Sequence, residues 1–125
     1  QWTRTWVQGG TEYRIQNKQS AELLLTCSPH DNVFVRYTAP DGKTLTSGND
    51  DGRSLEAQTD NSDTFLINDT LSDAGGSNFE AFWNAVRKSQ RIHITATGLT
   101  STTFTFSNAA RTLPEFDKSG CLTRM

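Results

Sequence analysis

Residues 77–106 read SNFEAFWNAVRKSQRIHITATGLTSTTFTF, and this stretch has the clearest secondary-structure pattern in the chain. Ser77 and Glu80 have the S-x-x-E spacing of a capping box, in which each side chain accepts a hydrogen bond from the other residue's backbone N–H. The spacing therefore predicts a helix that begins at Ser77. Apolar residues follow at i, i+3, i+4 and i+7, and they share one helical face that must be buried: Phe79, Phe82, Trp83 and Val86.

The apolar period changes from 3.6 to 2 after this helix. Apolar and polar residues alternate across 92–97, and after a turn at 98–101 they alternate again across 104–107. Alternation of this kind is typical of half-buried strands. The stretch predicts an antiparallel hairpin on which the helix packs.

Five segments nearer the N-terminus also have the composition of strands: 11–16, 21–27, 33–37, 54–58 and 64–68. The second and third are joined by a short polar turn, which predicts another hairpin. Together with the strands after the helix, the chain has about seven. The sequence therefore predicts a mainly β fold, an antiparallel β-sandwich of about seven strands with one α-helix packed on it, as a single domain of residues 1–125.

Composition narrows the class of protein. A chain of 125 residues fits one domain, and its net charge is −2. No run of lysine or arginine exceeds two residues, so the concentrated basic face that binds nucleic acid is not expected. The longest apolar run, Leu23-Leu24-Leu25, is far shorter than a membrane span.

The two cysteines, Cys27 and Cys121, lie far apart in the sequence, with no CxxC spacing and no neighbouring histidine cluster. A metal site is therefore not expected. The better interpretation is a disulfide bond between them, which requires an oxidising compartment. Two buried free thiols, which pack as small apolar residues, are the other. The chain opens at Gln1, as expected if a leader peptide had been removed or the chain trimmed.

Catalytic and metal-binding patterns are sparse. His30, beside Asp31 in a turn, and His93, among strand threonines, are the two histidines available for acid–base chemistry. Both also fit ordinary surface histidines. Asp50-Asp51 lacks the spacing of a calcium-binding loop. No G-x-S-x-G, G-x-G-x-x-G or P-loop motif is present, so we expect no catalytic residue and no cofactor.

Aromatic residues near the start of the chain are candidates for a contact face. Trp2, Trp6 and Tyr13 belong to the residue types that dominate protein interfaces. The alternative is that the N-terminal segment packs these side chains on the sheet.

Several of these segments resemble small periplasmic β-sandwich proteins of the invasion-associated locus B type. The segments that carry the resemblance span most of the chain: Tyr13-Arg14-Ile15, residues 21–27, Pro40-Asp41-Gly42-Lys43, residues 82–90, residues 92–97, Phe104-Thr105-Phe106-Ser107, Ala109-Ala110 and Cys121. The resemblance implies a disulfide-bonded, exported bacterial protein that works by binding and has no catalytic residues.

A second, local resemblance involves Cys27-Ser28-Pro29-His30-Asp31, which is similar to the Cys-x-Pro-His-Asp loop of the bacterial inhibitor of vertebrate lysozyme. In that family the loop projects its histidine into the enzyme's cleft, and a second cysteine follows the aspartate. Asn32 stands at that position here. The resemblance makes His30 and Asp31 candidate binding residues.

These observations predict a periplasmic or secreted protein that acts by protein–protein binding as a virulence-associated, inhibitor or immunity component, either monomeric or weakly self-associating. A structural component of a secretion or surface assembly is one alternative, and it predicts exposed sheet edges that pair with another chain. A hydrolase that uses His30 or the acidic loop is the other.

Overall fold

The computed structural model describes residues 1–7, 9–28, 33–49, 52–60, 64–67, 70, 73–119 and 121, and within them the chain forms two antiparallel sheets. The first sheet has the order β1-β2-β3-β4-β5, with bounds Thr3–Val7, Gly10–Gln16, Glu22–Cys27, Phe34–Thr38 and Thr44–Thr46. The second has the order β7-β6-β8-β9, with bounds Thr64–Leu66, Leu55–Thr59, Arg91–Ala96 and Thr102–Thr105 for β7, β6, β8 and β9.

One hydrophobic core lies between the sheets. Alternate residues of β2, β4, β6 and β8 are buried, as the period of two requires. Tyr37 on β4 and Phe104 on β9 meet edge-to-face with ring centroids 6.5 Å apart, so side chains of the two sheets touch. The mainly β, two-sheet fold with one long helix is confirmed.

Helix α1, Asp73–Arg87, begins four residues before the predicted start at Ser77, so that prediction was wrong. Gly76 is buried and precedes Phe79 by three positions, so the buried face extends a turn toward the N-terminus. Packing of an amphipathic face supplies most of a helix's stability and outweighs the low helix propensity of glycine. The predicted apolar face itself is confirmed, because its four side chains are buried.

The helix packs mainly against β6, β7 and the C-terminal segment rather than on the hairpin alone. That hairpin, β8 with β9, is present as predicted. Trp83 lies edge-on to Tyr13 of the first sheet at 5.1 Å between centroids. Its indole N–H donates to the Pro114 carbonyl, and Arg87 Nε donates to the Leu113 carbonyl, both at 2.8 Å. The helix thus joins both sheets to the C-terminal segment.

The structure has nine strands in its described residues where about seven were predicted, and the two additions are β1 and β5. β5 has three residues, of which only Leu45 is buried. β1 has five, and every one is exposed. Neither strand therefore has the alternating apolar pattern on which the prediction depended.

The C-terminal segment contains the short helix α2, Ala109–Thr112, and a 3-10 turn, Phe116–Lys118. Cys27 at the end of β3 is bonded to Cys121, with the Cα atoms 4.3 Å apart, so the disulfide interpretation is confirmed over free thiols. Among the described residues, no helix is long and apolar enough to cross a membrane.

Candidate protein-contact surface

β1 is the outermost strand of the first sheet, and it pairs with β2 alone. Such an edge strand presents unpaired backbone N–H and C=O groups along its outer side. Trp6 is 72% exposed and Val7 is 40% exposed. Among the described residues one other large apolar side chain, Leu66, is classed as exposed. β1 therefore concentrates exposed apolar surface beside exposed hydrogen-bonding groups.

The side chains of β1 alternate between two faces. Arg4 lies opposite Tyr13, and Trp6 lies opposite Thr11, which places this pair on the face that the core uses on β2. Thr3, Thr5 and Val7 lie on the opposite face, because successive residues of a strand point to opposite sides. β1 extends the sheet past the region that the core covers, since Arg4 and Trp6 stay exposed.

Arg4 and Trp6 interact on this face. The Arg4 guanidinium carbon lies 5.1 Å from the Trp6 ring centroid, which is cation–π distance. Burial raises the pKa of Tyr13, and the charge of Arg4 and its hydrogen bond to Tyr13 oppose that rise. Arg4 thus links the exposed Trp6 ring to the buried Tyr13.

The chain before β1 is fixed to the C-terminal half. The Trp2 backbone N–H donates to Asn108 Oδ1, and Asn108 Nδ2 donates to the Trp2 carbonyl, each at 2.9 Å. The Trp2 ring packs edge-on against Phe106 with centroids 5.8 Å apart. Gln1 exchanges two further hydrogen bonds with Ser107. The start of β1 is therefore held in place although its own side chains are exposed.

The three N-terminal aromatic candidates separate in the structure. Trp2 and Tyr13 are each 2% exposed and belong to the core, so the alternative of packing on the sheet applies to both. Because they are buried, Trp2 and Tyr13 are not part of the candidate contact face. Trp6 stays on it. The other two candidate binding residues, His30 and Asp31, lie outside the described residues, as do Asp50 and Asp51.

His93 lies on the outer face of the second sheet, in a shallow depression of about 250 Å³ that Asp60 and Arg91 also line. His93 Nδ1 is hydrogen-bonded to Thr103 Oγ1 at 2.8 Å. The Gln90 backbone N–H donates one hydrogen bond shared between the two Asp60 carboxylate oxygens, at 2.8 and 3.1 Å. The His93 imidazole is thus hydrogen-bonded to Thr103, and the Asp60 carboxylate to Gln90.

Metal-binding groups are not assembled in the described part of the chain, where no three His, Cys, Asp or Glu side chains cluster. Asp41 instead accepts a hydrogen bond from the Lys43 backbone N–H at 3.1 Å, within the turn that follows β4. That carboxylate stabilises a turn in the manner expected of aspartate.

A family model described as YfjT matches residues 1–113. The chain belongs to the YfjT family. In this YfjT-family chain the matched range includes all the strands from β1 to β9, whereas the 3-10 turn and Cys121 lie beyond it. Comparison with curated proteins finds no match, and comparison with solved structures finds none either. The two resemblances noted from the sequence receive no support from these comparisons and stay predictions.

Arg4 and Val7 are exposed residues of the candidate contact surface that the sequence did not single out. The one local signal is the alternation of threonine with larger side chains in Thr-Arg-Thr-Trp-Val, which favours a strand. That signal says nothing about position within a sheet. Exposure at the edge depends on the order of strands, which is a property of the whole fold.

Proposed function

We propose that this chain is an exported, non-catalytic protein-binding domain and that β1 is its contact edge, with Trp6 and Arg4 at the centre. The observation that carries the proposal is the exposure of all five β1 residues at the free edge of a five-stranded sheet. Partner strands bind such edges by main-chain hydrogen bonds, and pockets for alternate side chains add specificity.

The chemistry of the edge supports a protein partner. Tryptophan and arginine are enriched among the residues that contribute most binding energy at protein interfaces. On β1 both lie on one face, with the Arg4 guanidinium carbon 5.1 Å from the Trp6 ring centroid, and the exposed Val7 lies on the other face. The Cys27–Cys121 bond supports a periplasmic or secreted location, because disulfides persist in oxidising compartments.

A structural role in a secretion or surface assembly is the second candidate, because repeated strand pairing at β1 would join chains edge to edge. The proposed hydrolase based on His30 gains no supporting observation, since His30 lies outside the described residues. An inhibitor or immunity role fits the same contact edge, and the identity of the partner separates these possibilities.

The test is affinity capture from a periplasmic extract of the source organism, with wild-type protein, Trp6→Ala and Leu66→Ala compared in parallel. Leu66 is a matched control, because it is 48% exposed and lies on β7, an edge strand of the other sheet. Loss of a hot-spot tryptophan costs about 2 kcal/mol or more, which is roughly a thirtyfold loss of affinity.

We expect Leu66→Ala to recover the wild-type partner and Trp6→Ala to lose it. Trp6→Phe, which keeps a ring at this position, should recover part of the binding. Equal recovery by Trp6→Ala and the wild type would contradict the proposal.

A further inference from the structure

The four sheet edges are not equally open to pairing. β5 and β7 have three residues each. β9 has four, and the Asn17 side chain donates to its Thr102 hydroxyl at 2.9 Å and its Thr103 carbonyl at 3.0 Å. Short edges and covered edges are common ways in which proteins avoid unwanted strand pairing.

β1 has none of these protections. It has five residues, all exposed, and contains no lysine, proline or glycine. Its one charged residue, Arg4, lies over its own Trp6 ring. An edge of this length and composition is a template for another strand.

We infer that the strand that pairs with β1 is β1 of a second copy of this chain, in an antiparallel arrangement about a two-fold axis midway between the two Thr5 residues. The inference rests on the proposed use of β1 as a contact edge and names the partner. The two first sheets would then join into one continuous sheet with β1 beside its copy at the centre.

The register follows from the sequence of the strand. Facing residues in neighbouring strands point to the same side of the sheet. A two-fold axis perpendicular to the sheet must therefore lie midway between two facing copies of the same residue. An axis at Arg4 would place two arginines directly opposite each other, which is destabilising. An axis at Trp6 would leave Thr3 and Arg4 without β1 residues opposite them.

An axis at Thr5 pairs all five residues of both strands. Thr5 then faces its own copy, Thr3 faces Val7, and each Arg4 faces the Trp6 of the other chain. The guanidinium and the ring already interact within one chain, so the pairing doubles an existing contact by placing each group between two partners. β1 contains no aspartate or glutamate, so pairing of the two strands removes no carboxylate of β1 from water. The strand is therefore complementary to itself in this register alone.

The association should be weak. Stable interfaces bury more than about 1,000 Å² in total, and a pair of five-residue strands supplies less. Self-pairing would therefore respond to protein concentration, and a covalent trap is the appropriate probe.

The test uses single-cysteine variants, oxidised in air and analysed by non-reducing electrophoresis. Because Cys27 and Cys121 are bonded to each other, the introduced thiol is the free one. In the proposed register two Thr5→Cys residues face each other at about 5 Å between Cα atoms, within the range of a disulfide. Thr3→Cys is the matched control on the same face, since its two copies would lie about 13 Å apart along the strands.

We expect Thr5→Cys to give about tenfold more covalent dimer than Thr3→Cys, because only the former meets the geometric requirement of a disulfide. The double variant Thr3→Cys with Val7→Cys should restore the dimer. Equal yields from Thr5→Cys and Thr3→Cys, or as much dimer from Thr44→Cys on the opposite edge, would overturn the inference.

Failure of this inference can be told from failure of the proposed function. If Trp6→Ala loses a captured protein of different sequence and Thr5→Cys stays monomeric, β1 is a contact edge for that protein and the self-pairing inference is wrong. If Thr5→Cys dimerises and capture does not depend on Trp6, self-pairing stands and the proposed contact with another protein fails.

Discussion

Tyr37 couples the fold to alkaline pH. Its hydroxyl donates to the Thr100 carbonyl at 2.6 Å, and its ring meets Phe104 across the core. Burial, together with the nearby Asp41 carboxylate, raises the pKa of Tyr37 from 10.0 to about 12. Burial also raises the pKa of Tyr13, which is the only other tyrosine in the chain.

We predict that stability falls as pH rises from about 10 to about 12. Unfolded tyrosines lose their protons near pH 10, whereas folded Tyr37 keeps its proton to about 12, so the unfolded state binds fewer protons in this window. The stabilisation that the raised pKa of Tyr37 provides is therefore complete below pH 10, and it is lost as the pH rises toward the folded-state pKa of about 12. Urea unfolding across this range, with near-ultraviolet absorbance of tyrosinate recorded in parallel, measures the effect.

Tyr37→Phe is the control for this prediction. It should weaken the alkaline dependence, and at neutral pH it should lower the free energy of unfolding by about 0.5–1.5 kcal/mol through the lost hydrogen bond. Ionisation of both tyrosines near pH 10 in the intact fold would contradict the account.

Asn108 determines how firmly β1 is held, although it lies in a different element. Its side chain both donates to and accepts from the Trp2 backbone, and it also donates to the Thr112 hydroxyl at 3.1 Å. Two hydrogen bonds from one amide therefore fix the residue that precedes β1. β1 has exposed side chains, so its position depends on its pairing with β2 and on this attachment.

We predict that Asn108→Ala speeds amide hydrogen exchange in β1 and lowers the free energy of unfolding by about 1–3 kcal/mol, the net value of two hydrogen bonds. Hydrogen exchange followed by mass spectrometry resolves the strand. Asn17→Ala is the control, because the Asn17 side chain also makes several hydrogen bonds, but to β9 and within the turn between β2 and β3. It should speed exchange in β9 and leave β1 unchanged. Unaltered β1 exchange in Asn108→Ala would show that the attachment has no such role.

Local periodicity predicted the elements that the core uses. The buried face of α1 and the alternation in β2, β4 and β8 are visible in short windows of sequence, because each residue's burial follows from its own element. The earlier start of α1 at Asp73 was not visible, because packing of Gly76 depends on the rest of the fold. β1 was missed for the same reason, since its place at the edge depends on strand order.

At the scale of the whole molecule, the Cys27–Cys121 bond ties the end of β3 to the C-terminal segment across most of the chain. The C-terminal segment also contacts α1 through Phe116, whose ring lies 6.0 Å from Phe79 and 5.9 Å from Trp83. The bond and the ring contacts together hold the helix against the sheets. The sequence predicted this bond but could not predict what the C-terminal segment packs against.

We predict that the variant with Cys27→Ala and Cys121→Ala melts several degrees below the wild type, because a disulfide typically contributes about 2–4 kcal/mol to stability. Calorimetry with and without reductant measures the difference. Reductant should lower the melting temperature of the wild type toward that of the variant and leave the variant unchanged. Identical melting of oxidised and reduced wild type would contradict this role.

We propose β1 as the surface by which this molecule binds protein. A photoreactive amino acid placed at Thr5, compared with the same group at Thr44 on β5, tests it most directly, because each position lies on an outer strand of the same sheet. After irradiation of cells that produce the protein, we expect covalent adducts with a protein, either a second copy or a different chain, from position 5 alone. Adducts from position 44 in equal amount, or none from position 5, would contradict the account.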